Sequence, residues 1–177
     1  MTGAIIRDAG PADGAACAAI YAPYVTDTVI TFEYAPPTAA EMAARIAAAQ
    51  RGHAWLVLAD QDTGRVAGYA YGREYHARAA YRWSCEVSVY LEMGRRRTGA
   101  GRALYKELLP RLAGRGFRMA IAGVSLPNAA SVGLHESFGF EPVGTFCRVG
   151  WKFGAWHDVA YSQLALSTAD DPPAEPV

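Results

Sequence analysis

The hydrophobic positions of this chain alternate between two periods. Residues 4–7, AIIR, form a short apolar stretch that reads as a strand, and Pro11-Ala12-Asp13 then opens a helix carrying Ala16 and Ile20 toward Tyr24. A loop with Ile30, Phe32 and Tyr34 ends at Pro36-Pro37, where Thr38 and Glu41 make a capping box for a second helix running to about Gln50. AWLVLAD and RVAGYAYGREY, separated by the turn residues Gln61 to Gly64, predict a hairpin. From Trp83 to Leu91 the strand period returns: Cys85, Val87 and Val89 point one way, and Ser84, Glu86, Ser88 and Tyr90 the other. After Gly101 the period turns helical, with Leu104, Leu108, Leu109 and Leu112 on one face and an end near Gly114 or Gly116. RMAIAGV is an uninterrupted apolar strand, Asn128 starts a helix that stops at Gly139, and FEPVGTFCRVG and HDVAYSQLAL suggest two closing strands.

These elements predict one mixed α/β (α+β) domain over residues 1–166, with a central sheet flanked by helices. The sheet is expected to be antiparallel at its start, with βαβ crossovers in its second half. Residues 167–177 hold three prolines and three acids and read as a disordered tail.

Bulk properties narrow the possibilities. At 177 residues and 51% hydrophobic content, the chain suffices for one well-cored domain and is short for two. A formal net charge of +0 argues against broad electrostatic attraction to nucleic acid or an anionic membrane. No signal-peptide pattern and no run able to span a bilayer is present. Cys17, Cys85 and Cys147 are widely spaced and lack C-x-x-C spacing, which speaks against a disulfide framework or a zinc site and for a reducing cytosol. No metal is expected.

The chemistry concentrates between residues 83 and 102. Arg96, Gly99 and Gly101 form R-x-x-G-x-G at the entrance of a helix. Two glycines let the backbone approach a ligand, and the unpaired N–H groups and positive dipole end of the helix favour a pyrophosphate. Arg95, Arg96, Arg97 and Arg102 reinforce that field, although a helix entry with a solvated basic loop explains the same residues without a ligand. A Walker loop and the GxGxxG dinucleotide pattern both fail on spacing. Glu86 is a lone acid in an otherwise apolar or small-residue strand just upstream, a costly placement unless it is hydrated or paired. An edge strand or a salt bridge to a nearby arginine accounts for it plainly. Removing a proton from a substrate amine gives it a job.

The turn resembles the R/Q-x-x-G-x-G/A signature of the GNAT acetyltransferases, where it holds the pyrophosphate of acetyl-CoA. The resemblance extends to N-A-A-S-V-G-L-H-E-S-F-G-F, residues 128–140, which is similar to the family's N-x-x-[SA]-x-x-[LF]-[YH]-x-x-x-G-F segment. It implies Glu86 as general base, and main-chain bonds from Val89 and Leu91 to the pantetheine arm. It also implies an oxyanion held by N–H groups near Val89 and Tyr90, and a diphosphate bound by Arg96, Arg97, Thr98, Gly99, Ala100, Gly101 and Arg102. Asn128 and Ser131 would touch the cofactor. His135 stands where many members carry a tyrosine that protonates the departing thiolate, and would do that or share base duty; a packed or solvent-facing histidine is the plain alternative.

A narrower resemblance runs from Ile6 to Leu166. IRDAGPAD, YAPYVTDTVITFEYAPPT, AYRWSCEVSVY and above all WKFGAWHDV look like the phosphinothricin and methionine sulfoximine N-acetyltransferases. Acetylation of a small amino acid or analogue on its α-amine is implied, with resistance to a toxic analogue as a role or side activity. A homodimer with WKFGAW near the interface is implied as well. Arg73, His76, Arg78 and Tyr81 offer groups for carboxylate or phosphinate oxygens, while Phe32, Ser88 and Val159 would line the pocket. The phosphinothricin-type members are expected to carry a lysine where His76 stands, a departure that bears on phosphinate binding. Two other readings stay open: a GNAT acetylating a protein N-terminus, polyamine or aminoglycoside, and a CoA-binding regulatory module without catalysis.

Overall fold

Alternation is missing from AWLVLAD because both faces of that strand are covered. The computed structural model describes residues 3–95, 98–169 and 174–177. In it β1 (Ala4–Asp8), β2 (Ala54–Asp60) and β3 (Val66–Glu74) pair antiparallel, with α1 (Gly14–Asp27) and α2 (Ala39–Gly52) between β1 and β2 in sequence. Trp55 and Val57 of β2 bury against Ile20, Tyr21, Met42 and Ile46 of those helices. Ala54, Leu56 and Leu58 face the opposite side, where α3 (Ala100–Gly114) supplies Leu104, Tyr105, Leu108 and Leu112, all fully buried. Truncating one such leucine to alanine would cost about 2–5 kcal/mol, so this contact fixes α3, and its N-terminus, over the sheet.

The sheet has the order β1-β2-β3-β4-β5-β7-β6, with β4 at Ser84–Leu91, β5 at Met119–Ser125, β6 at Glu141–Lys152 and β7 at Ala155–Ala165. The expected plural crossovers reduce to one. Among the described residues only β4 and β5 run parallel, joined through α3. After β5 the chain passes through α4 (Ala129–Glu136) to the far edge, and β7 enters between β5 and β6. The tight turn at Phe153 and Gly154, both at positive φ, joins β6 and β7 as a long hairpin, of which the second arm and not the first pairs with β5.

Other boundaries shift locally. The fourth strand starts at Ser84, because the Trp83 carbonyl accepts from the N–H groups of Arg118 and Met119. The last helix stops at Glu136, and Gly139, at φ +82°, turns the chain into β6. The capping box at Thr38 and Glu41 forms with both reciprocal bonds. Of the last segment, residues 174–177 lie against the body, with Trp83 Nε1 donating to the Ala174 carbonyl and the Val177 N–H to Arg115. Among the described residues no helix is long and apolar enough to cross a membrane.

Candidate active site

Glu86 sits where the sheet forks. Parallel pairing of β4 with β5 runs from Ser84↔Met119 to Glu86↔Ile121 and stops there, while β4 stays paired to β3 up to Leu91 and β5 to β7 up to Ser125. Beyond Glu86, therefore, β4 has a neighbour on one edge only, and a gap opens toward α3. Strand parity places Ser84, Glu86, Ser88 and Tyr90 on a cavity of about 1180 Å³, and packs Cys85, Val87, Val89 and Leu91 under α3.

Across the β3–β4 pairing Glu86 faces Arg73, and Arg73 Nη2 donates to its Oε1 at 2.8 Å. The Glu86 side chain is 23% exposed, enough to be reached from the cavity. A second acid, Glu33, lines the same space and holds Arg45 in two bonds of 2.7 and 2.9 Å, while Tyr21 donates to it. The Arg45 guanidinium, outweighing burial, keeps the Glu33 carboxyl below its usual range. Trp55 and Tyr71 stack 4.2 Å apart beneath these charges. Of these groups, sequence reasoning found only Arg73 and Glu86. Tyr21, Glu33, Arg45 and Tyr71 escaped it because helix positions, a loop acid and a strand tyrosine announce no pocket until the sheet is assembled.

Phe32 walls the cavity as expected, and it does so by lying against Gly150: a methyl there would overlap the ring. The loop bearing Phe32 is pinned by Lys152, which is 2% exposed and donates to the carbonyls of Val25 and Thr31 at 2.7 and 2.8 Å. Val25 is in the last turn of α1, whose free carbonyls attract a cation. Burial pushes the Lys152 pKa down, with the Glu33 carboxylate opposing. Val159 lines the cavity from β7 beside Tyr161, two positions on and so on the same face.

The helix entrance has the features of an anion site. Gly99 caps α3 at φ +78° without a side-chain cap, and the first backbone bond within the helix is from Ala103 to Gly99. The N–H groups of Ala100, Gly101 and Arg102 are thus left at the positive end of the helix, beside the gap, and suit a diphosphate. Thr98 Oγ1 donates to the Arg95 carbonyl, and the Arg102 guanidinium lies 5.5 Å above Phe138. Arg96 and Arg97 lie outside the described residues. Leu91 offers less main chain than expected, since its carbonyl already accepts from Tyr24 Oη at 2.7 Å. Asn128 Oδ1 likewise accepts from Ser131 N–H as the N-cap of α4.

Four expectations are corrected by position. His76, Arg78 and Tyr81 do not line the cavity; they stand on the loop after β3, where His76 and Tyr81 rings lie 4.9 Å apart and the Arg78 N–H turns to His76 Nδ1. Ala79 and Arg82 reach the cavity from that loop instead, because its short 3₁₀ turn at Ala79–Tyr81 puts positions three apart on one face. His135 is the fourth. It is 5% exposed and outside the cavity lining. Ser131 O can only accept, so His135 Nδ1 carries the proton in their 2.8 Å contact, and Nε2 accepts from Tyr105 Oη at 3.0 Å. Burial lowers the His135 pKa, with the bond to Ser131 opposing. Both nitrogens are spent on the core, which leaves no proton to deliver.

Among the described residues no group of three or more His, Cys, Asp or Glu could hold a metal ion. Comparison with known proteins agrees with the geometry. Residues 6–160 match the acetyltransferase (GNAT) domain family. The chain is 37% identical over 173 residues to a phosphinothricin N-acetyltransferase of Streptomyces viridochromogenes, covering 97% of this chain and 93% of that one. It is 36% identical to an L-methionine sulfoximine/L-methionine sulfone acetyltransferase of Pseudomonas paraeruginosa, over 96% and 99% of the two chains. A GNAT superfamily phosphinothricin acetyltransferase from Sinorhizobium meliloti, solved with acetyl-CoA, superposes with a TM-score of 0.90 at 38% identity, over 100% of this chain and 94% of that one.

Proposed function

Because the chain belongs to the GNAT acetyltransferase family, we propose that it transfers the acetyl group of acetyl-CoA to the α-amine of a small amino acid or analogue, of the phosphinothricin or methionine sulfoximine and sulfone type. The observation that carries this reading is Glu86 at the fork of β4 and β5, between an arginine on one side and the uncapped helix entrance on the other.

Acetyl-CoA supplies an activated acyl thioester; the chain supplies position and proton transfer. An α-ammonium must lose a proton before its nitrogen attacks, and Glu86 takes it directly or through a water. The Val89 N–H of β4, on the edge that β5 no longer covers, stabilises the oxyanion that forms on the acetyl carbon, while the neighbouring Tyr90 N–H belongs to the β3 pairing. First-turn N–H groups of α3, with Thr98, Gly99 and Arg102, hold the diphosphate. Arg96 and Arg97, outside the described residues, are proposed for the same anion. Arg73 receives the substrate carboxylate, which draws the guanidinium off Glu86 and frees the base as the substrate arrives. Phe32, Ser88 and Val159 shape the pocket.

Assembly as a homodimer fits the exposure of Val143, Phe146, Val149 and Trp151 along the edge strand β6, with Phe153 and Trp156 at its tip. A cytoplasmic location is part of the same reading. The test is thiol release from acetyl-CoA with phosphinothricin, methionine sulfoximine, methionine sulfone, a polyamine and an N-terminal peptide. Turnover with the amino acids supports the reading. Turnover only with the polyamine or peptide, or with none of the panel, refutes it.

A further inference from the structure

The cavity is charged on one side of Glu86 and uncharged on the other. Toward β3 and α2 it presents Arg73 and the Glu33–Arg45 pair. Toward the far strands it is lined by Gly123 and Ser125 of β5 and by Val159 and Tyr161 of β7, none of them cationic. Two hydroxyls on that side lack partners among the described residues. Ser125 is 6% exposed and its Oγ is buried without a hydrogen bond. Tyr161 has a half-buried ring whose hydroxyl makes no bond, and burial together with the Glu86 carboxylate raises its pKa, with the Arg73 charge opposing from across the cavity, so the phenol keeps its proton.

Their placement follows from the sheet. Tyr161 pairs with Gly123 and Val159 with Ser125, so the two hydroxyl residues are diagonal neighbours on one face of adjacent strands. The Tyr161 ring lies over Gly123, where a Cβ would meet its Cε1 at 3.2 Å and its hydroxyl at 3.6 Å. Any larger residue at 123 would displace it. Gly123 is two residues beyond Ile121, the partner of Glu86, which sets the Tyr161 hydroxyl about 7 Å along the strand from the level of the base. A substrate whose amine is at Glu86 spans that interval with a side chain of roughly four bonds.

We propose that Tyr161 and Ser125 determine specificity by donating hydrogen bonds to an uncharged acceptor on the substrate side chain, a sulfone or sulfoximine oxygen, in preference to a phosphinate anion. This rests on the amino-acid acetyltransferase reading above and adds to it. A phosphinate carries a charge that none of the four residues lining this side neutralises, whereas a tetrahedral sulfur with two neutral acceptors satisfies two donors that otherwise stay unpaired. A site built to bond a polar group also rejects the analogue that lacks it, because its own donors are then stranded.

The experiment compares methionine sulfone, phosphinothricin and norleucine, whose unbranched side chain has no acceptor, in wild type, Tyr161→Phe and Ser125→Ala. Acetylation is followed by thiol release, and binding by calorimetry in the presence of CoA. The expected result is a wild-type kcat/KM for the sulfone at least tenfold above both other substrates. Each substitution should lower the sulfone value by about tenfold and leave norleucine within twofold. Equal losses for sulfone and norleucine, no loss, or a wild-type preference for phosphinothricin overturns the proposal while leaving acetyl transfer intact. Sulfone binding weakened by Tyr161→Phe without turnover of any amine upholds the donor pair and refutes the acetyltransferase reading; neither binding nor turnover refutes both.

Discussion

Arg73 and Glu86 are direct cross-strand partners on β3 and β4, joined by a 2.8 Å charge-assisted hydrogen bond at the floor of the cavity. With the Arg73 side chain 56% exposed, the pair is solvent-screened and weak enough to be exchanged for a substrate carboxylate. Arg73→Gln is therefore expected to raise KM for the amino acid by about tenfold or more, the loss of a charge-assisted bond, while KM for acetyl-CoA stays within twofold. Steady-state kinetics with each substrate varied in turn checks this; an increase confined to acetyl-CoA would remove Arg73 from the substrate site.

Gly150 leaves room for Phe32. Gly150→Ala should push the ring out of the cavity wall and raise amino-acid KM several-fold, with a loss of about 1–3 kcal/mol in stability from overpacking. Denaturant titration and kinetics on the same preparation separate the two effects.

Lys152 ties the hairpin of β6 and β7 to the end of α1 and to the loop bearing Phe32. Lys152→Met keeps much of the packing and removes both bonds, leaving the carbonyls of Val25 and Thr31 short of a donor. A stability loss of about 2–4 kcal/mol is expected, read as a lowered denaturation midpoint. A fully stable Lys152→Met would show that the ammonium is not needed there.

Much of this architecture was legible because local signals agreed. The Thr38–Glu41 capping box, the period-two run around Glu86 and the leucines of α3 each fix an element without tertiary help. Strand order was less legible. FEPVGTFCRVG reads as a strand, yet nothing in it says that HDVAYSQLAL enters beside β5 in its place, since the hairpin turn at Phe153 and Gly154 leaves open which arm is inner. In the site, Glu86 stood out as an acid among apolar residues, but Glu33 and Arg45 are ordinary exposed types whose pairing depends on α2 lying beside the loop. His135 misled for a physical reason: a histidine in a helix motif looks reactive until the Tyr105 hydroxyl and the Ser131 carbonyl are seen to occupy its nitrogens.

That burial has a pH signature. The folded-state pKa of His135 is lowered from 6.5 by burial, and that of His53 is lowered too, again first by burial. As pH falls through about 6.5 the unfolded chain binds protons that the native histidines do not, so stability falls with pH and levels off below their folded pKa values. Thermal midpoints should drop between about pH 7 and pH 5. His135→Gln, which does not titrate, should reduce that slope, and the part due to His53 should remain. An unchanged slope would mean that His135 is protonated equally in both states.

The central claim is that Glu86 removes the proton from the attacking amine. Single-turnover transfer from saturating acetyl-CoA to methionine sulfone, in wild type and Glu86→Gln, measures it most directly. The account predicts a rate lowered by about 10²–10⁴ with acetyl-CoA binding and thermal midpoint retained. A Glu86→Gln enzyme that transfers acetyl at the wild-type rate would contradict it.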